Sequence, residues 1–329
     1  MKTKRFITVF LSFVFVLLFA VPTVLMAAED KSLACDESQL ILATGVSDGT
    51  YSMMMQDIFK LAPELMCENT KSSGGPMNVD LLLARKVDAG LVQDDVLDFV
   101  NSTNANVKKK LRALASLHGS ALHIIVRRTG VTYKTPGLFG KQQTFVFKNL
   151  RELKDQPVVG FASGHATGYR INEKFNLGMR LYNADKKADA FKMLDSGKVV
   201  AIFAMGGMPI NWVENLDGNI YALATIDSTD IAALGTPFYP TKLSYRNLGV
   251  MGLPTIAARN SIVVWDYRGE KAVKLLELRR VLKSNLENIK EARGTHPGWQ
   301  DVENPDDTYW PKYEPPASVA AKKAVSKKK

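Results

Sequence analysis

The chain has 329 residues, 46% of them hydrophobic and 23% charged, which is ordinary globular composition with length for two domains. The formal charge of +10 suggests an acidic partner, yet Lys2, Lys4 and Arg5 lie at the extreme N-terminus and Lys322, Lys323, Lys327, Lys328 and Lys329 at the extreme C-terminus. Removing these eight leaves a body near +2, which excludes nucleic-acid binding by charge.

The first residues read as an export signal. Met1 to Arg5 is basic, Phe6 to Met26 carries no charge, and Ala27-Ala28 precede the first acid, Glu29. This layout predicts a signal peptide over 1–28, with an uncleaved anchor as the alternative, and an extracytoplasmic location. The two cysteines, Cys35 and Cys67, predict one disulfide in an oxidising compartment; isolated thiols are the alternative.

Short apolar runs then alternate with helical patterns. Leu40–Ala43 predicts a strand, Tyr51–Leu65 a helix, Met66–Lys71 a strand, Val79–Ala84 a helix and Ala89–Val92 a strand. Leu111–Leu117 and His123–Val126 read as two further strands. This rhythm predicts an α/β fold with parallel strands. Arg127 to Gln156 interrupts it with Gly, Pro and Thr, and reads as a linker with an inserted hairpin. A second block follows: a strand at Pro157–Phe161, helices over Gly168–Asn176 and Lys187–Ser196, and a strand at Val199–Ala204. A helix over Pro209–Leu216 and a strand at Tyr221–Thr225 complete it. Gly235 to Pro254 reads as a loop, Thr255–Val264 as a returning strand, and Glu270–Ala292 as the longest helix. Gly294 to Pro316, with Trp299, Tyr309, Trp310 and Tyr313, reads as an aromatic strap, and 317–329 as a lysine-rich tail.

Four loops join a strand end to a helix and carry glycines and hydroxyls: Ala43 to Tyr51, Ser72 to Pro76, Phe161 to Tyr169, and Phe203 to Pro209. Glycine lets backbone approach a ligand, and helix N-termini offer free N–H groups. The candidate ligand-binding residues are Gly49, Thr50, Tyr51, Ser73, Gly74, Gly75, Gln93, Ser163, Gly164, His165, Thr167, Gly206 and Gly207. For the hydroxyl residues the competing role is helix capping. Asp94 and Asp95 read as the first turn of a helix rather than as metal ligands. Arg170 reads as a surface ion pair or a carboxylate clamp. Tyr169, Tyr239 and Tyr245 read as cleft walls or core.

The ordered set resembles the TAXI-type solute receptors of TRAP (tripartite ATP-independent periplasmic) transporters. The pieces are Ala43-Thr44-Gly45 with Gly49-Thr50-Tyr51, Ser73-Gly74-Gly75, Ala89 to Val96, Leu111 to Leu117 and His123 to Arg127, followed by Ser163-Gly164, Phe203 to Pro209 and Pro254-Thr255-Ile256. They span about residues 40 to 297. The resemblance implies a type II periplasmic-binding-protein fold with two lobes, a hinge and a central cleft. It implies capture of a small organic acid or amino acid, of the glutamate or 2-oxoglutarate kind, for a TRAP membrane permease. Lobe 1 is expected over 30–127 plus 255–316, a linker over 128–154, and lobe 2 over 155–250, in a monomer. His165-Ala166-Thr167-Gly168 stands where the family continues with Thr and an acid, and Pro76 replaces a small polar residue.

No cofactor is expected. An enzyme finds no support: Phe161 stands two places before Ser163, where a nucleophile elbow requires glycine, and no metal-binding or nucleotide-binding spacing occurs. A binding subunit for signalling is the alternative reading.

Overall fold

In a computed structural model, residues 38–47, 49–70, 72–134 and 140–314 are described. The expected signal peptide, Cys35, Asp48 and the lysine-rich tail lie outside them.

The first half builds outward from β1 (Leu40–Ala43). α1 (Thr50–Leu61), β2 (Met66–Thr70), α2 (Gly75–Leu83), β3 (Ala89–Gln93), α3 (Asp94–Thr103) and α4 (Asn106–Lys110) follow. Helix α1 stops four residues before its expected end, because Pro63 cannot donate to a continuing ladder. β4 then runs unbroken over Leu111–Arg127, where two separate strands were expected. Gly119 lets it continue: a Cβ there would lie 1.9 Å from the Tyr239 hydroxyl.

The inserted hairpin is β5 (Val131–Lys134) with β6 (Gln142–Phe145). The second half comprises β7 (Pro157–Phe161), α5 (Gly164–Phe175), β8 (Arg180–Ala184), α6 (Lys187–Asp195), β9 (Ala201–Gly206), α7 (Asn211–Glu214), β10 (Tyr221–Ala224) and α8 (Ser228–Leu234). The stretch expected as a loop from Gly235 to Pro254 is mostly strand. β11 (Phe238–Tyr245) pairs antiparallel with the start of β12 (Val250–Trp265). Its Pro240 is tolerated because β11 is an edge strand.

The sheet repeats one order twice: β2-β1-β3-β12-β4 in the first half and β8-β7-β9-β4-β10 in the second. In each, three parallel strands are followed by antiparallel partners, beginning with a long strand shared between the halves. β4 pairs with β12 up to Ala121, and with β9 from Ala121 onward. β12 pairs with β11 up to Ala258, and with β3 from Asn260 onward. Two strands crossing between two doubly wound halves is the type II periplasmic-binding-protein arrangement that the sequence led us to expect.

Each half has apolar cores on both faces of its sheet. In the first, Leu40, Leu42, Met54, Ile58 and Leu91 meet helix α9 (Glu270–Glu291). Its buried Leu275, Leu278, Leu282, Leu286 and Ile289 recur at helical spacing. Val79, Val92, Val96 and Trp310 fill the opposite face. In the second half, Phe203 and Ile171 anchor one face, Ile202 and Leu194 the other. The segment after α9 is the expected strap. Asp57 accepts from the Trp299 indole N–H (3.0 Å) and the His296 amide (2.9 Å). Ala113 donates to Pro311 and accepts from Tyr313, so the strap completes the edge of β4.

Candidate functional site: a buried polar cluster at the hinge

The four glycine-bearing loops all leave the carboxyl ends of parallel strands, where open α/β sheets place ligands. They come from different halves, and they meet. A Cβ on Gly207 would lie 2.9 Å from the Thr50 hydroxyl oxygen, so the loop after β9 abuts the start of α1. A Cβ on Gly75 would lie 3.6 Å from the Ser163 hydroxyl oxygen, so α2 and α5 point their N-termini at each other. Thr167 on α5 donates to Asp95 on α3 at 2.6 Å. Phe99 of α3 packs edge-on against His165 and Tyr169 of α5, with ring centroids 5.9 and 5.1 Å apart. Arg170 reaches Asp98 at 4.0 Å and Glu173 at 2.8 Å, a rim network.

Beneath these loops the crossing strands carry polar residues. The Tyr51 hydroxyl donates to Asn260 Oδ1 at 2.5 Å. The Asn260 amide nitrogen, which carries two hydrogens, lies within hydrogen-bond distance of three acceptors, Ser120 Oγ (2.9 Å), the His118 carbonyl (2.9 Å) and His118 Nε2 (3.1 Å). Ser261 donates to Asp94 at 3.1 Å. Asp94, Asp95, Gln93, His118, Ser120, Asn260 and Ser261 are all buried.

Burial sets the charges. It lifts the Asp94 carboxyl to about 7, opposed by the Ser261 hydrogen bond, and the Asp95 carboxyl to about 6, opposed by the Thr167 bond. Burial raises the Tyr51 phenol as well, helped by the nearby negative charge of Asp95 and Asp94. It drops His118 to about 3, so this imidazole is neutral at pH 7. Among the described residues Asp94 and Asp95 have no ion-pair partner. The cation felt by Asp94 is Arg259, itself paired with Asp307 at 3.1 Å.

The sequence-chosen residues divide. Gly49, Thr50 and Tyr51 open α1; Gly74 and Gly75 open α2; Ser163, Gly164 and Thr167 open α5; all border the junction, as do Gln93, Gly206 and Gly207. Gly164 has a steric reason to be glycine: a Cβ would lie 1.9 Å from the Phe203 carbonyl oxygen. Ser73 is exposed and faces Met77 instead. His165 turns to the Tyr182 carbonyl at 3.3 Å and to Phe99. Tyr245 is core, its hydroxyl accepting from the Ile210 amide and bonded to His123, both at 2.8 Å.

Sequence reasoning missed the hinge-strand groups His118, Ser120, Asn260 and Ser261. Their signal was polar side chains inside runs that are otherwise apolar. Asp94 and Asp95 do open a helix as expected, but they are buried inside the junction. Elsewhere, a depression lined by Leu42, Met55, Phe59 and Met66 encloses about 20 Å³, room for about one water. Among the described residues no group of three or more His, Cys, Asp or Glu could hold a metal ion, and no helix is long and apolar enough to cross a membrane.

No family model and no curated protein matches this sequence. Solved structures do align with it. The substrate-binding protein of an amino acid ABC transporter is 11% identical, with 76% of this chain and 94% of that chain covered and a TM-score of 0.46. The ligand-binding core of GluR0 in complex with L-glutamate is 8% identical, with 82% and 100% covered and a TM-score of 0.46. Holo ArgBP from T. maritima is 12% identical, with 78% and 92% covered and a TM-score of 0.45.

Proposed function

We propose that this chain is an extracytoplasmic solute receptor that closes on a small organic acid or amino acid and presents it to a TRAP-type permease. The observation that carries the reading is the junction itself. Loops from both halves converge on strands that belong to both halves, and polar groups there are buried without partners. Among the described residues Asp95 Oδ1, Gln93 Nε2 and His118 Nδ1 lack a hydrogen-bond partner, as do Asn78 Oδ1 and Ser116 Oγ. Unpaired buried polar atoms cost about 1–3 kcal/mol each. Each calls for an explanation, and a ligand that supplies the missing partner is one.

The halves act as lobes, with hinges at Ala121 of β4 and Ala258 of β12, where those strands change partners. Closure brings residues of the two halves together, as Thr167 and Asp95 meet in this structure, and a ligand biases a pre-existing equilibrium toward that form. The basic and then apolar start of the sequence supports a location outside the cytoplasmic membrane, where the permease would read the closed shape.

A thermal-shift panel of dicarboxylates, 2-oxo acids, amino acids and sugars tests the reading. Ligand at about 1,000 times its Kd adds about 4 kcal/mol to native stability, several degrees for a chain of this size. A shift with one compound class supports a receptor. The absence of any shift, with protein refolded to strip co-purified ligand, contradicts it.

A further inference from the structure

The end of the first half that lies away from the junction collects positive charge. There β1 and β3 begin, α2 and α4 end, and β4 starts beside the end of β12, with Leu111 paired to Trp265 and Ala89 to Val264. Arg85, Lys86, Lys108, Lys109 and Lys110 are exposed, and none has an ion-pair partner among the described residues. The acids beside them are engaged: Asp266 with Arg112 and Arg268, and Asp88 with Lys271. Cations at helix ends ordinarily serve the helix dipole, and some of these also rest on rings. Arg85 and Lys110 lie 4.4 and 5.0 Å from the centre of Trp265, and Lys108 5.7 Å from that of Trp310. Neither role requires so many like charges on one surface.

Two further observations bear on this end. Arg85 has a φ of +55°, at the point where the Arg85 and Lys86 amides close α2 on the Leu82 and Leu81 carbonyls. Glycine is the usual residue there, and a cation is kept instead. Both ends of the described chain also come to this place. The Ser38 carbonyl accepts from Lys274, near the start of α9. Tyr313 donates its amide to Ala113 and its hydroxyl to the Tyr267 carbonyl. The sequence before Ser38 includes the uncharged run Phe6 to Met26, and the sequence after Tyr313 includes Lys322, Lys323, Lys327, Lys328 and Lys329.

We infer that this basic end of the first half docks on an anionic lipid bilayer. Headgroup phosphates supply the counter-charges that the protein lacks, and the half-buried Trp265 sits among the cations as indoles do at membrane interfaces. A broad flat surface engages two helix ends and both chain ends at once, which a nucleic acid does not. The loops of the junction leave the opposite ends of β1 and β3, so docking keeps them open to solvent. The inference goes beyond the receptor reading and is independent of what the junction binds.

Lysine acetylation footprinting of the full chain, with vesicles of phosphatidylcholine with and without phosphatidylglycerol, tests this. Anionic vesicles should slow acetylation of Lys86, Lys108, Lys109 and Lys110 and leave Lys186, Lys187 and Lys192 of the second half unchanged. Neutral vesicles should protect none of them. Protection should vanish between about 0.1 M and about 1 M salt, as the Debye length falls from about 10 to about 3 Å. Each lysine near an anionic surface counts about fivefold in affinity. The triple variant Lys108→Ala, Lys109→Ala, Lys110→Ala should therefore lose at least about 30-fold of the affinity gained from phosphatidylglycerol, with circular dichroism verifying the fold. The triple variant Lys186→Ala, Lys187→Ala, Lys192→Ala removes the same charge and should lose little. Equal losses in the two variants, equal protection by neutral vesicles, or no protection at all would overturn the inference. Tighter binding of duplex DNA than of anionic vesicles would overturn it too.

Discussion

Replacing Asp94 by asparagine should make the unliganded protein more stable at pH 8. The Asp94 carboxyl is 1% exposed, hydrogen-bonded to Ser261 alone among side chains, and raised to about 7 from 3.8. A raised carboxyl is the reverse of the salt-bridged case. The folded state binds the proton more tightly than the unfolded state, so this group's destabilising effect is absent below about pH 4 and fully present above about pH 7. At about 1.4 kcal/mol per pKa unit, a shift of roughly three units bounds the effect near 4 kcal/mol. Asparagine removes the charge and keeps an oxygen for Ser261. With 1 kcal/mol worth about 2 °C in a chain of this size, the variant should melt some 3–8 °C higher at pH 8. The gain should shrink as pH falls from 7 toward 4. His118 and His123, held near 3 and 4 by burial, oppose this trend below pH 6.5, because the unfolded state gains their protons first. The difference between variant and parent isolates Asp94 from them. Differential scanning calorimetry from pH 5 to 8 measures it. A variant that melts several degrees lower at pH 8 would refute the reasoning, since it would mean the ionised carboxylate is well satisfied inside the protein.

Other substitutions probe the parts around that pair. Tyr51→Phe leaves Asn260 Oδ1 buried without its 2.5 Å donor and should lose about 1–3 kcal/mol of stability, read as a lower urea midpoint with unchanged m-value. Asp57→Ala strands the Trp299 indole and His296 amide donors; thermolysin should then release the strap after α9 at concentrations that leave the parent intact. Gly164→Ala sets a Cβ 1.9 Å from the Phe203 carbonyl oxygen, and should lower the melting temperature by about 4 °C or more, about 2 kcal/mol or more.

Periodicity made much of this fold legible. Leu40–Ala43, Ala89–Val92 and Pro157–Phe161 are apolar runs of strand length, and each is a buried parallel strand. Leu275 to Ile289 recur at helical spacing and form the longest helix. Two of the failures share a cause: a residue that usually punctuates a chain is kept for a tertiary reason. The sequence reads as two strands, Leu111–Leu117 and His123–Val126, and Gly119 between them lies under the Tyr239 hydroxyl in one continuous β4. Pro240 looked like a loop residue, and it sits in an edge strand. β8 was not read at all, because Arg180 and Asn183 of this sheet edge are exposed and leave little alternation.

The candidate site was half legible. Glycines and hydroxyls at strand ends pointed to the loops, since backbone approach needs those residues. His118, Ser120, Asn260 and Ser261 were not recognised, because a polar residue within an apolar run has no partner until the strands are paired. Asp94 and Asp95 were read as helix-opening acids, which they are. What the local pattern could not supply was their burial, which arises from α5 packing over α3.

The most direct test is hydrogen–deuterium exchange of the refolded protein, with and without the panel compound that gives the largest thermal shift. Closure around a ligand at the hinge predicts slowed exchange in segments from both halves together: 44–51, 72–76 and 93–96 from the first, 163–168 and 205–210 from the second. Protection confined to one half, or placed away from these loops, would contradict a receptor that closes on its ligand.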